Sequence, residues 1–167
     1  VYNYWQDEHH VRGLWRRTSL ESFKGDSPAW ETVLDLDALA EAEGVSWVWK
    51  GCRTLPVSED LCLMELSRGG ADAASIREFN LTSKEFVPAP TGFVVPEAKT
   101  SISYRDRDSV LIGADCGPGS FTDSGYARTV RIWRRAQDLC SSPVVFEGAA
   151  TDVSVSAWRS YDWRGYV

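Results

Sequence analysis

The chain has 167 residues, enough for one ordinary domain with a real hydrophobic core. It is 43% hydrophobic and 25% charged with eight Trp, which excludes a disordered tail and favours strands. Its net charge of −6 lacks the basic footprint of a nucleic-acid binder, and no apolar run reaches the roughly 18 residues that span a bilayer, so neither nucleic acid nor membrane is an expected partner.

The opening Val1-Tyr2-Asn3-Tyr4-Trp5 has neither a basic nor an apolar leader region and no initiator Met, so it reads as a segment of a longer chain. Residues 2–6 read as an aromatic strand fragment, and Asp7-Glu8-His9-His10 as a polar turn. Val11 to Leu20 is strand-like, and Gly25-Asp26-Ser27-Pro28 is a turn signal. Trp30 to Leu36 reads as a strand with Leu34 and Leu36 on one face. Asp37 to Glu43 is the one helix-favouring stretch, expected as a helical turn closed by Gly44.

A second unit follows. Val45, Trp47 and Trp49 alternate with Ser46, Val48 and Lys50 as in a half-buried strand. Leu61 to Leu66 is nearly all apolar, as in a strand covered on both faces, and Ser75 to Leu81 is a third strand. An outer segment runs from Glu85 to Val95, with Pro88, Pro90 and Pro96 keeping it irregular or at an edge. The third unit repeats the order: Ser101 to Tyr104, Val110 to Ala114, Thr129 to Arg135 and Val144 to Phe146, with a Gly-rich loop from Cys116 to Gly125. Val153, Val155 and Ala157 alternate with Ser154, Ser156 and Trp158 as the start of a fourth.

The units are in register. Leu14-Trp15-Arg16-Arg17 returns 118 residues later as Ile132-Trp133-Arg134-Arg135, and Ile76-Arg77-Glu78-Phe79 is a weaker copy between them. Ser46, Ser101 and Ser154 open equivalent first strands, 55 and 53 residues apart. Val33, Val94 and Val145 mark equivalent outer strands. Four strands per period of about 40–50 residues signal a β-propeller, and the periods here are slightly long, as loop insertions would make them. The expectation is an all-β fold: a partial propeller of about three four-stranded antiparallel blades. Residues 1–44 hold most of one blade, 45–98 the second, 99–150 the third, and 151–167 the first strand of a fourth. Three blades cannot close a ring, so the isolated segment is expected to self-associate through its uncovered flanks.

Val11 to Thr18, followed by Trp30-Glu31-Thr32-Val33-Leu34-Asp35-Leu36-Asp37-Ala38-Leu39, resembles the early propeller of bacterial prolyl oligopeptidase-like serine peptidases. Ser124 to Arg128 and Ile132 to Arg135 resemble the matching loop and strand two blades on. The resemblance implies a seven-bladed propeller covering an α/β-hydrolase domain that carries a Ser-Asp-His triad, with access restricted to short peptides. The implied partners are that catalytic domain, in the same parent chain, and short peptide substrates. No G-x-S-x-G nucleophile elbow occurs in residues 1–167; Gly117-Pro118-Gly119-Ser120-Phe121 fails at the spacing. The catalytic domain is therefore expected outside this chain, and the segment alone is expected to be inactive.

Other candidates have bland readings. His9 and His10 are adjacent and point apart in extended chain, so Asp7-Glu8-His9-His10 reads as a solvated turn and not a metal site. Asp106 and Asp108 read as turn formers. The 116–125 loop lacks a phosphate-loop Lys and a following helix, and reads as a loop at a channel mouth or domain interface. The Arg clusters (Arg12, Arg16, Arg17; Arg128, Arg131, Arg134, Arg135) read as solvated strand faces beside acidic neighbours. No C-x-x-C pair occurs among Cys52, Cys62, Cys116 and Cys140, which argues against a zinc or thioredoxin-like site; reduced thiols in a cytosolic protein are the expected state, favoured over the periplasm, with one disulfide pair left open. No catalytic, cofactor-binding or metal-binding residue, and no cofactor, is assigned in 1–167. The alternative function is a stand-alone propeller-type module, completed by oligomerisation, that binds proteins or glycans.

Overall fold

A computed structural model describes residues 1–161. The chain divides into two units: Val1–Trp49 with Ser67–Ala71, and Lys50–Leu66 with the chain from Asp72 onward.

In the first unit, β1 (Tyr2–Trp5), β2 (Leu14–Arg17) and β3 (Glu31–Asp35) form an antiparallel sheet in that order. Aromatic side chains hold it. Trp15 is buried, with Tyr2 stacked on it at 5.2 Å and Trp49 tilted against it at 5.0 Å. A short helix, α1 (Leu20–Phe23), starts at Ser19, whose side chain accepts from the Ser22 N–H. The strand-like reading of Val11 to Leu20 thus ends three residues early, because Ser19 offers the backbone a helix start.

Helix α2 (Leu36–Glu43) is capped by Asp35, which accepts from the Ala38 N–H at 3.0 Å, and by Gly44 in the left-handed region at φ 64°. Leu36 was expected to share a strand face with Leu34; it is instead the fully buried first residue of α2. The Asp37 carboxylate accepts from the Arg12 and Gly13 N–H groups at 3.0–3.1 Å and ties the helix to the start of β2.

The second unit contains two sheets. One comprises β4 (Trp47–Thr54), β5 (Leu61–Arg68), β6 (Ala74–Asn80) and β7 (Glu85–Phe86) in that order, with β8 (Val94–Ala98) also on β6. The ends of β4 and β5 belong to the first unit. The other comprises β9 (Ser101–Asp106), β10 (Ser109–Gly113), β11 (Thr129–Arg134) and β12 (Val144–Glu147), in chain order across the sheet. The core of the unit is one apolar cluster that includes Leu61, Leu63, Ile76 and Phe93 from the first sheet and Ile102, Val110, Ile112 and Trp133 from the second. Strand β5 is buried nearly throughout, as its continuous apolar run requires. Pro96 lies on β8, at an edge where a missing N–H does no harm.

The three related tetrapeptides fall on β2, β6 and β11, and each of these strands pairs with an outermost strand. Residues 151–161 form no strand, so the expected first strand of a fourth unit is not seen among the described residues; residues 162–167 lie outside them.

Candidate functional site

The sequence candidates fall into turns. Asp7 sits in the β1–β2 connection. It accepts from Trp5 Nε1 at 2.9 Å and from the His9 and His10 N–H groups at 2.9 and 2.7 Å. The Trp5 hydrogen bond foremost holds its carboxyl well below the usual carboxylate range. His10 meets Asp7 at 3.0 Å while exposed His9 meets Glu8 at 3.5 Å. Among the described residues no three His, Cys, Asp or Glu side chains converge as a metal site would require. Asp106 accepts from the Asp108 N–H and shapes the β9–β10 turn.

The 116–125 loop is pinned from within. Ser120 is buried; its Oγ donates to the Gly117 carbonyl at 2.7 Å and accepts from the Cys116 N–H. Arg128 donates to the Gly119 and Gly148 carbonyls and pairs with Glu147. Cys116 is disulfide-bonded to Cys140, with Cα atoms 5.3 Å apart. This corrects the reduced-thiol reading for that pair: the segment between β11 and β12 folds back beside the exit of β10, a proximity that no local spacing reveals. Cys52 and buried Cys62 are free, and the hydrogen-bonded Cys52 together with burial raises the Cys62 thiol.

Sequence reasoning missed a buried ionic cluster between the two sheets of the second unit. Glu78, on β6, is fully buried. Arg135, just past β11, grips it in a fork at 2.5 and 2.8 Å, and Tyr104 on β9 donates to it at 2.7 Å. The Arg135 guanidinium also donates to the Thr91 and Arg107 carbonyls and lies 4.5 Å from the Phe93 ring centre. Burial, then the Glu78 charge, pushes the Tyr104 hydroxyl far above its ordinary range. Arg135 is therefore not on a solvated strand face. The available signal was Glu78 itself, an acid standing where the two copies carry Arg.

Arg16 is likewise not simply solvated: its guanidinium lies 4.4 Å from the Trp5 ring centre and 4.5 Å from that of Trp30.

One cavity, of about 340 Å³, lies wholly within the second unit. Lys50 on β4, Glu65 on β5, Ser101 on β9, Tyr126, and Ser154 to Ser156 contribute to its wall. Lys99 closes one side, 4.0 Å from Asp72 and 5.0 Å from the Tyr126 ring centre. Neither His contributes to it; both lie in the other unit.

Residues 1–164 match the family model of the prolyl oligopeptidase N-terminal beta-propeller domain. An uncharacterized peptidase of Sinorhizobium fredii is 45% identical over 152 residues, covering 91% of this chain and 21% of its own length. An uncharacterized peptidase of Rickettsia prowazekii is 29% identical over 163 residues, 94% of this chain and 23% of the relative. Among solved structures, a post-proline cleaving enzyme from Rickettsia typhi aligns with a TM-score of 0.86 at 28% identity, over 95% of this chain and 24% of that one. Oligopeptidase B from Leishmania major aligns at 0.62 with 14% identity, over 87% of this chain and 19% of its own, a likeness of fold. The chain thus spans about a fifth to a quarter of the proteins it matches.

Proposed function

Because the chain belongs to the family of prolyl oligopeptidase N-terminal β-propeller domains, we propose that it is the propeller segment of a serine peptidase and restricts the access of short peptides to a triad located outside these residues. The observation that carries this reading is the family match over 1–164 in a sequence without a nucleophile elbow. Chemistry in the parent would be acyl transfer by an activated Ser in an α/β-hydrolase domain. The segment would supply the wall and the filter. In this reading β4 and β9, at the matching edge of their sheets, line the channel. The Glu78–Arg135 clamp would hold two neighbouring blades at a fixed angle, and a filter needs such rigidity.

The test compares two preparations. The 167-residue chain should not hydrolyse short proline-containing peptides. The full-length protein should cleave them, lose activity to a serine-directed inhibitor, and spare folded proteins of the same sequence content. Hydrolysis by the chain alone that survives the inhibitor would overturn the reading, as would cleavage of folded proteins at the rate of short peptides.

A further inference from the structure

Besides the closed Cys116–Cys140 bridge, the second unit holds an open pair of cysteines, Cys52 on β4 and Cys62 on β5. The two strands are neighbours in their sheet. The Leu55 N–H donates to the Leu61 carbonyl at 2.8 Å, and Arg53 reaches across to Glu65 at 3.1 Å, so contacts beside both cysteines hold the strands together there. The thiols touch: Cys62 donates its S–H to the Cys52 sulfur. They differ in access, since Cys62 is fully buried and Cys52 only half-buried. They differ in acidity as well. The hydrogen bond from Cys62 lowers the Cys52 thiol below its ordinary value, against burial and the Glu65 charge, while the same bond and burial raise Cys62. Cys52 is thus the sulfur that a reagent can reach and that loses its proton first. It touches a second sulfur that no reagent reaches directly. This is the arrangement of an attacking and a resolving thiol.

We propose that Cys52 is a site of reversible oxidation by small disulfides of the glutathione type, with Cys62 as its resolving thiol and a cross-strand Cys52–Cys62 disulfide as the product. The Cys52 thiolate attacks one sulfur of the small disulfide, forms a mixed disulfide with it and expels the other half as a thiolate. Cys62 then attacks the Cys52 sulfur, and its proton goes to the second small thiolate as that leaves. Two protein thiols are oxidised, and one small disulfide is reduced to two thiols. The site does not depend on the peptidase reading, because both sulfurs lie in one unit of this chain.

The experiment treats the native full-length protein with oxidised glutathione at mildly alkaline pH, alkylates the remaining thiols and maps the peptides by mass spectrometry. The peptides that carry Cys52 and Cys62 should be joined, and dithiothreitol should release them. Before oxidation, Cys52 should take up iodoacetamide about tenfold or more faster than Cys62. In Cys62→Ala the reaction should stop at glutathionylated Cys52, and in Cys52→Ala the buried Cys62 should stay reduced. The unsubstituted protein decides the matter even where a variant fails to fold. A Cys52 that stays reduced, as an inert core residue would, overturns the proposal. So does a mixed disulfide that persists on Cys52 while Cys62 is intact, or a Cys62 that is oxidised equally well without Cys52.

Discussion

At the scale of single residues, Glu78 decides most. A fully buried carboxylate is tolerated because Arg135 neutralises it and Tyr104 and the Phe93 N–H fill its remaining acceptor sites. Arg135→Met should cost roughly 3–5 kcal/mol in urea unfolding, since it strands the charge. The double variant Glu78→Leu/Arg135→Met should cost clearly less than the sum of the single changes; additive losses would show that the two do not act as a pair. Asp60 gives a pH signature. The Arg107 hydrogen bond, foremost, lowers its pKa from 3.8 to about 2, with contacts at 2.6 and 3.0 Å. The folded state therefore holds fewer protons than the unfolded chain between these values. The contribution is complete above the unfolded pKa and lost as pH falls through about 2. Arg107→Gln should lower stability at neutral pH, and the gap to the parent should close as pH falls from 4 towards 2; a pH-independent gap would point to packing and not charge. Arg107 and Asp60 could not be paired from sequence. Arg105-Asp106-Arg107-Asp108 is legible as a charged turn, but its partner lies 47 residues away.

At the scale of elements, helix α2 shows how far local chemistry reaches. Asp35, Asp37 and Gly44 mark its cap, first turn and stop, and the structure uses all three. Asp35→Ala should cost about 1 kcal/mol by thermal unfolding, because the Ala38 N–H loses its acceptor. No measurable change would mean that water replaces the cap. Helix α1 escaped notice because four residues carry no period, and only Ser19 announces it. The strands were more legible. Alternation placed Ile102 with Tyr104, and Val110 with Ile112, on buried faces, and they are buried. The outer strand of the sheet that holds β4 to β6 was read as one irregular segment from Glu85 to Val95, whereas it is two strands, β7 and β8. Pro88 and Pro90 break it, since neither can donate to the ladder.

At the scale of the whole molecule, the repeat is what the chain is built on. The penultimate-strand motif and the outer strand recur in each sheet, and the family match covers the same stretch. The outermost strand of the last sheet, β12, leaves Val144, Val145 and Phe146 exposed at 43%, 49% and 58%. An apolar edge with unpaired backbone groups recruits other strands. The 167-residue chain should accordingly show concentration-dependent sedimentation, and Val145→Lys should reduce it by charging the edge. A chain that stays monomeric at all concentrations would show that this edge is inert.

The sequence alone determined the fold class, the repeat and most strand positions, because side-chain alternation, turn residues and motif spacing are local properties that need no partner. It also determined that no nucleophile elbow lies in these residues. Only the tertiary structure decided that Glu78, Tyr104 and Arg135 form one cluster, that Cys116 meets Cys140, and that Lys50 shares a cavity with Ser101, Ser154 and Ser156. Each joins residues from different strands or loops, separated by 24 to 57 positions in the first two cases. Such meetings are fixed by how the strands pair and how the two sheets pack, which no short window of residues encodes.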